Sequence, residues 1–288
     1  MADYNQLLVM KLATLADDLQ TEFFDLRDLL PEHATKSYSG RDPAMLLGAC
    51  YHHSASVPTP RENWYPNQDV AEAIGFTESR IKSAKWLRYV WRCAEYHTGP
   101  SSHLAEGGAP GIAYTIVVDP DGGTYLCHNL EAKTWAQGSG NSTHVAVLFP
   151  GNNYSQWNQE GLCPTPMQIA MGALLWEKVF WPIFPGWKPE NFSLHNRFGK
   201  AACPGDHLSS VVDCINQIEK DSALDGWRKK QEALNLAGAV PQLVVDGVFG
   251  SLTKAAVVDF QRAFGLVDDG IWGPSTEHAM QVFLDSLK

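Results

Sequence analysis

Near the start of the chain Leu8, Leu12, Leu15, Leu19, Phe23, Leu26 and Leu30 recur at steps of four and three. That spacing lays them on one helical stripe, so residues 4–30 are predicted to form an amphipathic helix or two. Pro31 ends the pattern, and the stripe is expected to pack on the main domain. Met45-Leu46-Leu47 then opens a run that reads as a buried strand and ends in His52 and His53. Pro58, Pro60 and Pro66 mark a loop, Glu78 to Cys93 returns to helical spacing, and Thr98 to Pro110 is rich in Gly, Ser and Pro. This insertion of residues 57–110 is expected to form a groove wall, because loops beside a strand end commonly shape substrate access.

Further on, Gly111 to Asp119 reads as a strand carrying Tyr114, with Asp121-Gly122-Gly123 as a hairpin turn and Thr124 to Cys127 as the return strand. Val145 to Phe149 is a short buried strand. Thr165-Pro166 starts a helix through Met171, Leu174, Leu175, Val179 and Phe180, apolar all round and so destined for the core. Another helix is expected near Leu208 to Lys220. Beyond it Asp246-Gly247-Val248-Phe249-Gly250-Ser251-Leu252-Thr253 returns as Asp269-Gly270-Ile271-Trp272-Gly273-Pro274-Ser275-Thr276. Each copy is a Gly-bearing turn followed by a helix start, and each following helix has an apolar face: Ala256, Val257, Phe260 and Phe264, then Met280, Phe283 and Leu284. The predicted organisation is an amphipathic helical segment over 1–35, an α/β domain with a mixed central sheet flanked by helices over 36–222, and a small all-α domain over 226–288.

Composition adds limits rather than detail. A chain of 288 residues, 44% hydrophobic and 19% charged, has the size of two globular domains. The formal charge of −10 argues against long-range attraction to nucleic acid or to an anionic membrane. No run approaches the ~18 apolar residues of a membrane span. Met1-Ala2-Asp3-Tyr4-Asn5 lacks a basic start and Lys11 interrupts the first apolar run, so no secretory signal is expected. The six cysteines, at 50, 93, 127, 163, 203 and 214, are therefore expected to be reduced and mostly buried, with room for one disulfide after release.

The candidate chemistry lies in Leu194 to Gly205, where His195 and Cys203 stand eight positions apart, closed by Pro204-Gly205. Imidazole and thiolate together suit zinc, and a catalytic zinc takes three protein ligands. The third is sought at the strand end, in His52 or His53. Neighbours on a strand face opposite sides, so only one of the two can join the same ion.

His52-His53-Ser54-Ala55 at a strand end, the segment carrying Tyr114, and the late His-x7-Cys-Pro-Gly resemble zinc amidases that cut between N-acetylmuramic acid and L-alanine in peptidoglycan. That family includes phage lysozyme-type amidases and animal peptidoglycan recognition proteins, and the likeness covers roughly residues 45–215. It implies zinc held by His52, His195 and Cys203, and a Tyr114 hydroxyl that reaches the reacting centre. Lys200 is the candidate second helper, one residue ahead of position 201, where relatives place Lys or Thr. Trp135-Ala136 stands where many relatives carry a His before the Ala, which leaves the proton-transfer partner open, with Glu95 and Glu106 as substitutes.

The doubled turn, over about 228–285, resembles the three-helix peptidoglycan-binding domain found at one end of many wall hydrolases. Together the resemblances imply a zinc-dependent N-acetylmuramoyl-L-alanine amidase with a C-terminal wall anchor. They suggest a monomeric phage endolysin, made in the host cytoplasm and acting on the wall after release. Two readings compete: a recognition protein that binds without cutting, and an intracellular muropeptide-recycling amidase. Cys203 speaks against the first, since non-catalytic members typically lose that ligand, and the wall anchor speaks against the second.

Overall fold

The computed structural model describes residues 3–54, 85–151, 164–188, 191–200, 203–205 and 208–287. The expected proline loop and helix start at 57–84, Cys163, Ala201 and His207 lie outside them. Cα packing divides the chain into two compact units, Met1–Ile215 and Asn216–Lys288.

Helix α1 (Tyr4–Leu19) starts on Asp3, whose carboxylate accepts the backbone N–H groups of Asn5 and Gln6 at 3.1 Å each. Its Leu8, Leu12 and Leu15 are buried, and it packs against the core helix described below, with Tyr4 stacked on Phe184 at 5.4 Å. The predicted helix does not continue to Leu30. Gln20 takes a left-handed conformation (φ 55°) and closes α1, after which Phe23–Asp25 forms strand β1. Phe24 stacks there on Tyr125 at 5.1 Å, so the later apolar residues of the stripe are buried by a strand and a turn.

The described strands of the first unit are β1, β2 (Gly48–His53), β3 (Ile116–Val118), β4 (Thr124–Leu126), β5 (His144–Phe149) and β6 (Phe192–Leu194), in the order β1-β4-β3-β5-β2-β6. Only the β3–β4 hairpin is antiparallel, and every other pairing is parallel, which makes the sheet mixed. All six residues of β2 and of β5 are buried, as inner parallel strands covered on both faces must be. β2 starts later than the sequence suggested. Pro43–Met45 is a 3₁₀ turn capped by Asp42, Met45 and Leu47 are exposed, and only Leu46 of that run is buried. Gly48 is the first strand residue, and a Cβ there would come within 1.8 Å of the Asn191 carbonyl oxygen.

Helix α2 (Lys85–Thr98) buries Trp86, Leu87, Val90, Trp91 and Ala94 against Phe24, Leu26, Val117, Tyr125 and Leu148. Helix α3 (Pro166–Leu174) opens with a capping box between Thr165 and Gln168 and runs on as a π-helical stretch, Leu175–Phe180, and a last turn, Trp181–Ile183. These helices flank the sheet, and the first unit is of the α/β class.

Helix α4 (Ser209–Leu236) does not stop near Lys220, and the division between the units falls inside it. In the second unit α5 (Ser251–Ala263) and α6 (Pro274–Ser286) join the end of α4 around Leu234, Val257, Phe260 and Met280. Each copy of the doubled turn is held by a buried glutamine from the preceding helix. Gln231 receives the Gly247 N–H (2.8 Å) and donates to Asp246 (2.8 Å), the Val248 carbonyl (3.1 Å) and Thr253 (3.2 Å). Gln261 does the same with Gly270 (2.9 Å), Asp269 (3.0 Å), Ile271 (3.0 Å) and Thr276 (3.1 Å). Both turn glycines have positive φ, 80° and 70°, which favours a residue without a Cβ. No helix among the described residues is long and apolar enough to cross a membrane.

Candidate metal centre

β2 delivers His52 to the end of the sheet, and β6 delivers His195 to the parallel neighbour position, just past Leu194, which pairs with Tyr51. Cys203 returns from the loop behind His195. One donor atom from each of these three side chains lies within 4.8 Å of the others. His52 Nδ1 is 3.1 Å from His195 Nδ1 and 4.0 Å from Cys203 Sγ. Tetrahedral zinc, with Zn–N near 2.0–2.1 Å and Zn–S near 2.3 Å, would hold such atoms about 3.3–3.6 Å apart. Small adjustments therefore suffice, and the donor set fits a zinc ion.

The tautomer of His52 is fixed from outside the triad. Gln137 donates its Nε2 to the carbonyls of His144 (2.7 Å) and Gly140 (3.3 Å), so its Oε1 faces His52 Nε2 at 3.0 Å as an acceptor. His52 must donate from Nε2, which leaves Nδ1 with a free lone pair aimed at His195 and Cys203. His195 Nε2 is buried and has no hydrogen-bond partner among the described residues.

Burial is the main cause of every shift in the centre. It pushes His52 down to about 3, with His195 adding to the effect, and pushes His53 and His195 down to about 4. The rings are therefore neutral near pH 7, the form that ligates metal. Burial pushes the Cys203 thiol up to about 11, against the opposing influence of the His53 backbone and of the Lys200 charge. His53 is buried and lines the same cleft but lies outside the three-donor group. Among the described cysteines, Cys50, Cys93, Cys127 and Cys203 are free thiols.

The triad stands in a cleft of about 810 Å³. Tyr114 lines it with its ring edge-on to His52, centroids 5.3 Å apart, and burial holds its hydroxyl proton well above the usual tyrosine range. Tyr114 is not on a strand, since β3 begins only at Ile116. The backbone before it is taken by side chains: Tyr38 donates to the Gly111 and Ile112 carbonyls, and His97 accepts the Ala113 N–H. Lys200 is exposed at the cleft edge, where its charge acts on both His195 and Cys203. Neither Glu95 nor Glu106 lines the cleft. Glu95 pairs with Arg92 at 3.5 Å on the helix surface, and Glu106 is exposed with its carbonyl bound to Lys36.

The described part of the insertion does form a wall. Tyr89, Cys93, Tyr96 and His97 project from one face of α2, at helical spacing, and His103 and Leu104 continue the wall. His97, His103 and Gln137 belong to none of the motifs that the sequence offered. The four-residue spacing of Tyr89, Cys93 and His97 was the available signal for the wall.

The family described as "Putative peptidoglycan binding domain" matches residues 225–280. The C-terminal unit carries a peptidoglycan-binding domain. A stretch of 39 residues, 14% of this chain, is 59% identical to the zinc D-Ala-D-Ala carboxypeptidase of Streptomyces albus G, and it spans only 15% of that protein. Solved structures similar to this chain include Drosophila peptidoglycan recognition protein SD, with 13% identity and a TM-score of 0.44 over 66% of this chain and 94% of that one. Another is the endolysin N-acetylmuramoyl-L-alanine amidase LysCS of Clostridium intestinale, with 15% identity and a TM-score of 0.36 over 67% and 95% of the two chains. A third is the Ph2119 endolysin of a Thermus scotoductus bacteriophage, with 13% identity and a TM-score of 0.40 over 67% and 99%. The peptidoglycan-binding domain lies in the second unit, whereas all three donors belong to the first.

Proposed function

We propose that the chain is a zinc-dependent peptidoglycan hydrolase, an N-acetylmuramoyl-L-alanine amidase of the phage endolysin kind. The observation that carries the reading is the His52–His195–Cys203 donor set, two buried histidines and a half-buried cysteine, that lines an open cleft in a chain that also has a peptidoglycan-binding domain. Residues 36–222 are assigned the cutting role and 226–288 the anchoring role, so that the substrate polymer is held while one amide is placed over the centre. Zinc bound by His52, His195 and Cys203 would supply Lewis acidity toward the amide carbonyl and acidify a water.

The chain's own groups do the rest. Tyr114 keeps its proton at neutral pH, and its hydroxyl is a donor for the oxygen on which charge develops. Lys200 adds a positive charge at the cleft edge, on the side of His195 and Cys203. Gln137 keeps His52 in the tautomer that leaves Nδ1 free. Glu95 and Glu106 do not line the cleft, so neither stands where it could move a proton there.

The test is metal analysis combined with mass spectrometry of digested peptidoglycan. Wild-type protein is expected to bind one zinc and to release peptides with a free L-alanine amino terminus. Cys203→Ala should lose both metal and activity. A Cys203→Ala protein that keeps one zinc per chain would refute the ligand assignment, and glycan fragments with intact peptide links would refute the amidase reading.

A further inference from the structure

Arg41, ahead of β2, ties together two segments that lie far from it in sequence. Its backbone N–H donates to the Glu131 carbonyl at 2.8 Å, beside a bridge between Gly40 and Ala132. From that anchored position its guanidinium gives Nε to the Leu130 carbonyl (2.8 Å) and Nη1 to the carbonyls of Asn141 (2.6 Å) and His144 (2.7 Å). It forms no ion pair among the described residues, and Nη2 is buried without a hydrogen-bond partner there. Burial lowers its pKa to about 10, with the Glu131 charge opposing, so the group is still a cation at pH 7. A charge withdrawn from water in this way costs stability, and an apolar side chain of the same length would avoid that cost. What the guanidinium adds is its grip on three carbonyls.

Two of those carbonyls belong to residues that Gln137 also holds. The His144 carbonyl accepts Gln137 Nε2 at 2.7 Å, and the Asn141 side-chain oxygen accepts the Gln137 backbone N–H at 2.7 Å. We infer that Arg41 is a positioning residue for the metal centre: it holds Asn141 and His144 so that Gln137 keeps its NH₂ on the His144 carbonyl and its oxygen on His52. The inference rests on the metal reading above and gives Arg41 no contact with zinc or substrate. A primary amide turns end for end easily when its surroundings are loose. Turned, Gln137 would set its NH₂ against His52 Nε2, which would then have to accept. The ring proton would move to Nδ1, the atom that faces His195 and Cys203, and would occupy the lone pair meant for the metal. The turned amide would also set its oxygen against the His144 carbonyl oxygen, and that repulsion opposes the turn only while the carbonyl stays in place. Arg41 Nη1 keeps it there.

The experiment is a double-mutant cycle on the full-length protein. Zinc affinity is read by chelator competition, and the His52 tautomer by nitrogen NMR of the zinc-free protein. Arg41→Met keeps the length of the side chain and removes its donors. It should weaken zinc binding about 10-fold, as losing an outer partner of a ligand does, and move part of the His52 population to the Nδ1–H tautomer. In a Gln137→Leu background the same change should cost no further zinc affinity, because the group it acts through is gone. Arg41→Lys can still donate to the Asn141 and His144 carbonyls and should regain most of the loss. Wild-type zinc affinity in a folded Arg41→Met protein would overturn the inference. So would an undiminished loss in the Gln137→Leu background, the result that a merely structural role predicts. Should Arg41→Met fail to fold, Arg41→Gln decides by the same two measurements, and wild-type values in both would overturn the role. A wild type that binds no zinc would overturn the metal reading instead. The tautomer then reads Arg41 alone, and an unchanged His52 in Arg41→Met would overturn its role.

Discussion

Gln137 is wholly buried, and both halves of its amide are committed, the NH₂ to the His144 and Gly140 carbonyls and the oxygen to His52. Replacing it with leucine would remove the acceptor that keeps the proton on His52 Nε2. The ring could then turn or exchange tautomer, and the free lone pair on Nδ1 would be lost part of the time. Loss of such an outer partner typically weakens metal affinity by about 10–100-fold. Gln137→Leu is expected to show that loss in chelator competition while folding normally, and unchanged zinc affinity would remove Gln137 from the site. Residue type and spacing pointed to His195, Cys203 and one of two strand-end histidines, and the choice of His52 over His53 came from the family resemblance. Gln137 was not legible. Its meaning depends on meeting a histidine 85 positions away, and a glutamine two residues after Trp135 carries no sign of that meeting.

Among the elements, the β3–β4 hairpin was read correctly down to its Asp-Gly-Gly turn, because a short apolar run on each side of such a turn leaves few other folds. The turn also contains a titrating group. Asp119 is buried and accepts from the Asp121 N–H (2.8 Å), the Gly123 N–H (2.9 Å) and the Tyr125 hydroxyl (2.9 Å). Burial outweighs these donors and raises its pKa from 3.8 to about 6. Between those two values the folded protein binds more protons than the unfolded chain, so this group's contribution to stability falls as pH rises from about 4 to about 6. The loss is of order 3 kcal/mol, at 1.36 kcal/mol per pKa unit. Asp119→Asn cannot ionise, so the stability of wild type relative to this variant should decline across that window. A constant difference in Tm between pH 4 and 7 would show that Asp119 is ionised throughout. The first helix was harder to read. Leucines at steps of four and three run past Leu19 without a break, and nothing in that period reveals the left-handed turn at Gln20 or the place beside Tyr125 that makes Phe24 a strand residue. The strand expected to carry Tyr114 was overestimated for a related reason, since side chains far away in sequence take the hydrogen bonds that a strand would need.

At the scale of the whole molecule the chain consists of two units with separate cores, and the duplication inside the second was visible as two copies of one eight-residue phrase. What could not be seen was that each phrase is tied to the helix before it by a single glutamine. That tie has a consequence in time. The N–H groups of Gly247 and Gly270 sit in surface turns, where backbone hydrogens normally trade with solvent quickly, yet each points inward to a buried glutamine oxygen. Neither can exchange with deuterium until its turn lets go of the helix, so both should persist as long as the helical amides of α5 and α6. Gln261→Leu should release Gly270 to fast exchange and leave Gly247 at its wild-type rate, as read by amide-resolved NMR. If the two accelerate together, the copies open as a single block, and the repetition in the sequence is not a repetition in the motion.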